Sequence, residues 1–466
     1  MTADVQANAW LGAASLGGPD VDPEDPWSLN RRRIFRPSPS GKTLALPTAP
    51  PDERNWRHPK VGWGLVLLDD DAIPVADKAV GATAPAPLKR LLANRVGSPV
   101  FYYRPGSMNG YLRRYFSDGR PACDLDVAAS LTGVGPFEIP KYLLIYGSPA
   151  TIPWRAQYAL NMSRCVGRLD LVDGALDRYV GHLIDDWSAI RCDPLSPVVW
   201  SVNFGASDIT ALMEQLIADQ FWARISAEPE FGTAVRLKGG SATVGALSEA
   251  LRRHPGLVVT TSHGMTGPME APGAASTELG LLVDANAALT TMTAFPDDAI
   301  PAGAIWYAHA CCSAGSDSAS QYSGLFPDGH PIARTMTSLA ANVGDRIAPL
   351  PSRLLAAGRP LRAFVGHVEP TFDWTLKDPF TRQAVGSAIA DALYTKLFYK
   401  GTPIGLAFAE IYAQAGVFLT EWQQTLQRVN RDEAGAAERA RYLLVAALDR
   451  QSMVLLGDPT VSLPLA

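Results

Sequence analysis

The chain has 466 residues, 47% apolar and 19% charged, with a formal charge of −5. It is too long for one small domain and apolar enough for a sizeable core. The mild negative balance favours neither nucleic acid nor an anionic membrane surface as a main partner, and no run of about 20 apolar residues exists to span a bilayer. The first residues lack a basic stretch followed by an apolar run and cleavage site. Five cysteines (Cys123, Cys165, Cys192, Cys311 and Cys312) make a sparse, odd set, as in reduced compartments. The expectation is a soluble cytoplasmic protein.

Residues 1–60 are rich in proline and carry the basic run Arg31-Arg32-Arg33. Such a segment supports neither a regular helix nor a sheet centre. Trp10, Trp27 and Trp56 are unusual in a free tail, so an extended arm lying on the domain is expected. From 61 the pattern becomes α/β. Strands are expected at Val61–Leu68, Val100–Tyr103, Tyr142–Tyr146 and Cys165–Leu169, with a helix over 173–187. This gives a first α/β subdomain over 61–190.

A second series occupies 191–466. Val198–Asn203 reads as a strand, Ser207 or Asp208 as the cap of a helix running through Ile225, and Ala234–Leu237 as a strand. A helix over 243–253 precedes the apolar run Leu257–Thr261, which ends in Ser262-His263-Gly264. Ala304–Ala308 is a similar run ending in His309-Ala310-Cys311-Cys312-Ser313-Ala314-Gly315. Leu361–His367 is another strand, and helices over 382–399, 404–428 and 432–450 precede Gly457-Asp458-Pro459. Strands alternating with helices predict a mostly parallel sheet covered on both faces.

In open parallel sheets the chemistry gathers beyond the carboxyl ends of the strands. A strand ending in His263 and another ending in cysteine 49 residues later can set imidazole beside thiol, the equipment of a cysteine nucleophile. Taken singly, a buried histidine or cysteine is more often structural; the paired strand contexts reverse that balance, and the separation matches the spacing of about 50 residues known for caspases. The N–H groups of Gly264 and Cys312 are candidate oxyanion donors. Glu369 and Asp373, after the strand ending at His367, are candidates for binding a cationic side chain. His309 reads as a sheet residue with a hydrogen-bond partner, and Cys123, Cys165 and Cys192 as inert fillers. The scheme needs no metal or cofactor, and the motifs of nucleotide binding, zinc hydrolysis and serine hydrolysis are missing.

These residues resemble the caspase-like cysteine peptidases, the group of gingipains, legumains, metacaspases and caspases. Thr261-Ser262-His263-Gly264 is similar to the metacaspase Ser-Gly-His-Gly ending. Cys311-Cys312-Ser313-Ala314-Gly315-Ser316 is similar to Cys-Cys-His-Ser-Gly-Ser of metacaspases and Ala-Cys-Glu-Ser-Gly-Ser of legumains. The gingipain type is most similar over the longest span, through Tyr142–Gly147, Cys165-Val166-Gly167-Arg168-Leu169 and Leu456-Gly457-Asp458-Pro459. The resemblance implies a three-layer αβα fold with a mostly parallel sheet in two related subdomains. It also implies an intracellular endopeptidase with His263 and Cys312 as the dyad and a protein as substrate, triggered by a regulatory partner as in defence or cell-death pathways. Cys311 stays open as the alternative nucleophile, because Ala308-His309-Ala310-Cys311 resembles the caspase approach to its cysteine. Ala310 stands where metacaspases carry an acidic residue, so preference for Arg or Lys is not implied. A catalytically silent scaffold and a small-molecule amidase are the other readings.

Overall fold

The computed structural model describes residues 7–10, 15–16, 50–268 and 271–465. The Arg31–Arg33 patch and most of the arm lie outside the described residues. A single 12-stranded sheet runs through the molecule. In chain order its strands are β1 (Trp63–Leu68), β2 (Val100–Tyr103), β3 (Tyr111–Arg114), β4 (Cys123–Asp126), β5 (Tyr142–Tyr146), β6 (Cys165–Leu169), β7 (Val198–Ser201), β8 (Val235–Lys238), β9 (Leu257–Thr261), β10 (Ile305–His309), β11 (Ala363–His367) and β12 (Met453–Gly457). Their order across the sheet is β8-β7-β9-β10-β11-β12-β6-β5-β1-β2-β3-β4. The pairs from β8 to β11 and from β12 to β2 are parallel; β12 runs antiparallel to β11, and β3 and β4 form an antiparallel edge.

All five residues of β9, and likewise of β10, are buried. A strand with nothing but buried side chains needs cover on both faces, and this gives the three-layer αβα architecture expected above. In the first half, side chains leave the strands alternately: Leu65, Leu67, Tyr142 and Leu144 join one core, Val66, Leu143 and Ile145 the other. Each fully buried Val, Leu or Ile contributes about 1.5–3 kcal/mol, so this central sheet dominates stability.

Two motifs read from the sequence explain how the halves join. A Cβ at Gly167 would stand 2.1 Å from the Gly457 carbonyl, so only glycine lets β6 and the end of β12 approach. Asp458 accepts hydrogen bonds from Trp63 Nε1 (3.0 Å) and Arg95 (3.1 Å), tying the turn after β12 to the first half. Arg168 is wholly buried and donates to Gln157 Oε1 and the Gly147 carbonyl, both at 2.9 Å.

Several elements differ from expectation. β12 was not expected: the helix Ala436–Ser452 passes directly into it with no glycine or proline between. The antiparallel strands β3 and β4 were not expected from their polar sequences. The helix capped by Asp208 contains a wider π turn at Glu214–Ala218. Between β9 and β10, Val283 and Leu289 pair antiparallel around a short turn, the hairpin expected near Leu281–Val283. No helix among the described residues is long and apolar enough to cross a membrane.

Candidate functional site

β9 and β10 are parallel neighbours in register from Leu257↔Ile305 to Thr261↔His309. The segments that leave them, 262–264 and 310–312, therefore exit the same sheet edge side by side. Ser262 N–H donates to the His309 carbonyl at 3.2 Å. A Cβ at Gly264 would stand 1.9 Å from the Cys311 carbonyl oxygen. Gly264 is thus small because the backbone carrying the cysteines presses on it. His263, Gly264, Cys311 and Cys312 meet at one edge of the fold, all buried.

The imidazole is held from the side facing β7. His263 Nε2 lies 3.0 and 3.1 Å from the two carboxylate oxygens of Asp208, and Phe204 stacks on the ring with centroids 5.7 Å apart. Asp208 also caps the helix beginning at Ile209 by accepting from Thr210 N–H at 2.9 Å. Burial alone would raise its pKa. The hydrogen bonds and charge of His263, with Thr210, outweigh burial and hold the carboxyl well below the usual carboxylate range. The cap was legible in the sequence. The contact with His263 was not, since nothing local ties residue 208 to residue 263.

The two cysteines differ. Cys311 Sγ accepts a hydrogen bond from Thr371 N–H at 3.1 Å and packs among Tyr322, Phe326, Phe372 and Trp374. Cys312 turns the chain with φ +53°, the left-handed region that few non-glycine residues adopt. Its side chain is enclosed by Leu279, Leu339 and Ala348, and its carbonyl abuts Gly280, where a Cβ would stand 2.1 Å away. Burial pushes the Cys312 thiol well above its ordinary pKa, and the Glu369 carboxyl adds to the rise. This arrangement holds a neutral thiol closed from solvent.

Of the expected oxyanion donors, Cys312 N–H is engaged, donating to the Glu369 carbonyl at 3.3 Å, and Gly264 lies in a small strand, Gly264–Met265. Glu369 is 3% exposed; Gln321 N–H donates to its Oε2 at 3.3 Å. Burial, with the charge of Asp317, pushes the Glu369 carboxyl up to about 7. Asp317 is itself raised to about 6, again chiefly by burial. Asp373 opens a short turn packed on the helix Ala436–Ser452 and accepts from Trp374 N–H at 3.0 Å.

His309 lies inside the sheet layer, its Nδ1 2.8 Å from the Tyr307 hydroxyl. Burial, reinforced by Arg450, pushes its pKa down to about 3. It meets His367 edge to face at 4.8 Å, and both imidazoles stay neutral. Cys165 is buried, and Cys192 Sγ donates to the Gly303 carbonyl at 3.3 Å.

One element of the arm reaches the site. The strand Ala7–Trp10 pairs parallel with Gly264–Met265, Ala9 opposite Gly264 and Trp10 opposite Met265, and Ser15–Leu16 folds back on it antiparallel. It also lies against the helix that Asp208 caps. An added strand therefore occupies the backbone edge immediately after His263.

No protein-family model and no curated protein matches the sequence. Among solved structures, the Arg-specific cysteine proteinase gingipain R is similar at 12% identity and a TM-score of 0.33. The similarity covers 70% of this chain, which spans 64% of that one.

Proposed function

We propose that the chain is a cysteine endopeptidase of the caspase-like type. What supports the reading is the adjacency of the His263–Gly264 and Cys311–Cys312 backbones at one sheet edge, with Asp208 within hydrogen-bond distance of the imidazole Nε2. Asp208 fixes the ring and stabilises it when protonated. Cys312 gives up its proton to His263, and its sulfur attacks the scissile carbonyl carbon. His263 then returns the proton to the leaving amine. Water hydrolyses the thioester, releasing the acid product and restoring the thiol. Cys312 is favoured over Cys311 because the Cys311 sulfur is committed to Thr371 and an aromatic cluster, whereas Cys312 sits on a sharp turn. The substrate would be a protein held in extended form and the setting cytoplasmic, with a regulatory partner or trigger to open the closed site.

A second reading, the silent scaffold, is favoured by the closed, neutral thiol. Iodoacetamide labelling with peptide mapping, together with cleavage of a peptide library, separates the two. The peptidase reading expects labelling at Cys312 and cleavage abolished in both Cys312→Ala and His263→Ala. Labelling elsewhere with no library cleavage under any denaturant-free condition supports the scaffold.

A further inference from the structure

At the sheet edge opposite His263 and Cys312, a cleft of about 570 Å³ opens between the start of β1, the start of β11 and the turn after β12. Its walls carry four guanidinium groups, two of them, Arg54 and Arg95, paired with Asp52 and Asp458. Arg362 is 6% exposed and spends its hydrogen bonds on carbonyls, Nε to Gly303 (2.9 Å) and Nη1 to Ser462 (3.1 Å). No carboxylate stands within ion-pair distance of it among the described residues, and its other face lies over Trp187 at 5.3 Å. Arg57 and Arg95 flank Trp56 at 4.2 and 4.3 Å from its ring centre, close enough that the charge of Arg57 disfavours that of Arg95. Arg95 has its own partner in Asp458; Arg57, exposed, has none among the described residues. The exposed Asp186 is the single carboxylate of the lining; beyond ion-pair distance, its charge only partly offsets the burial that disfavours the charge of Arg362.

A buried guanidinium without a counterion is costly, and two guanidinium groups held about one ring repel. Both costs fall if an anion enters. We propose that this cleft binds a multiply charged anion of the phosphate or carboxylate class, with Arg57 and Arg362 as its principal contacts. Two separated cationic positions favour a ligand with more than one negative group over a halide. The site does not depend on the peptidase reading.

The test follows the thermal midpoint of the full chain in sodium pyrophosphate, in citrate and in sodium chloride at matched ionic strength. Pyrophosphate or citrate is expected to raise the midpoint by about 2 °C or more over chloride, and the stronger of the two identifies the preferred class. Arg57→Ala, a surface change, is expected to keep the midpoint in chloride and lose that rise. Arg362→Gln, which keeps one amide donor where Nε meets the Gly303 carbonyl and gives up the Nη1 bond to Ser462, is expected to reduce it. Equal midpoints in all three salts overturn the proposal. So does a rise that persists in Arg57→Ala, because that is general exclusion of the salt from protein surface.

Discussion

Glu369→Gln isolates a single buried charge beside Cys312. The substitution preserves shape and leaves an amide that can still accept from Gln321 N–H, but it cannot ionise. In the unfolded chain a glutamate titrates near pH 4.3; in the folded protein burial and Asp317 hold Glu369 protonated up to about 7. The raised folded pKa means that the native state holds its proton longer. The stability due to this group is complete below about pH 4 and is lost as pH rises from there to about 7, after which the loss is constant. That interval corresponds to on the order of 3 kcal/mol. Urea unfolding followed by tryptophan fluorescence, at pH 4.5 and pH 8, measures it. The variant and the parent should be nearly equal at pH 4.5, and the variant more stable by on the order of 3 kcal/mol at pH 8. An identical difference at both pH values would refute the assignment of a buried, protonated carboxyl.

Three further outcomes are expected. Gly264→Ala places a methyl group against the Cys311 carbonyl and should cost about 3 kcal/mol of stability, read from the shift in denaturation midpoint; an unshifted midpoint would mean that the two segments part easily. Asp208→Asn keeps the helix cap but removes the charge facing His263, so kcat should fall about 100-fold with KM little changed. An unaltered kcat would leave Asp208 as a cap alone. Removal of residues 1–16 strips the strand from Gly264–Met265 and should speed alkylation of Cys312 by about tenfold or more; an unchanged rate would show that the cover lies elsewhere, in the loop around Leu279 and Gly280.

The strands that carry the candidate site were legible because they lie at the middle of one half of the sheet. Leu257–Thr261 and Ile305–His309 are buried on both faces, so their sequences are continuous apolar runs ending where the sheet ends. Edge strands lack that signature: Tyr111–Arg114 and Cys123–Asp126 mix charged and apolar side chains and carry no continuous apolar run. Met453–Gly457 was missed for a different reason, since its apolar run begins inside the apolar pattern of the preceding helix. Asp208 was legible as a cap from its own neighbourhood. Its approach to His263 arises only because β7 and β9 are neighbours, which is a property of the fold and not of either segment. Cys311 and Cys312 were ambiguous in the sequence for the same reason: what separates them is Thr371, 60 residues from Cys311, together with the aromatic cluster that the fold gathers around that sulfur.

The strand Met453–Gly457 joins the two halves of the sheet, pairing with β11 on one side and β6 on the other. Without residues 453–457, β11 and β6 would each present an unpaired border. Those borders are templates for pairing with a neighbouring chain. A premature stop or a proteolytic nick just before residue 453 would leave every candidate catalytic side chain present while removing the keystone of the sheet. Such a fragment is expected to aggregate rather than persist as a smaller folded unit.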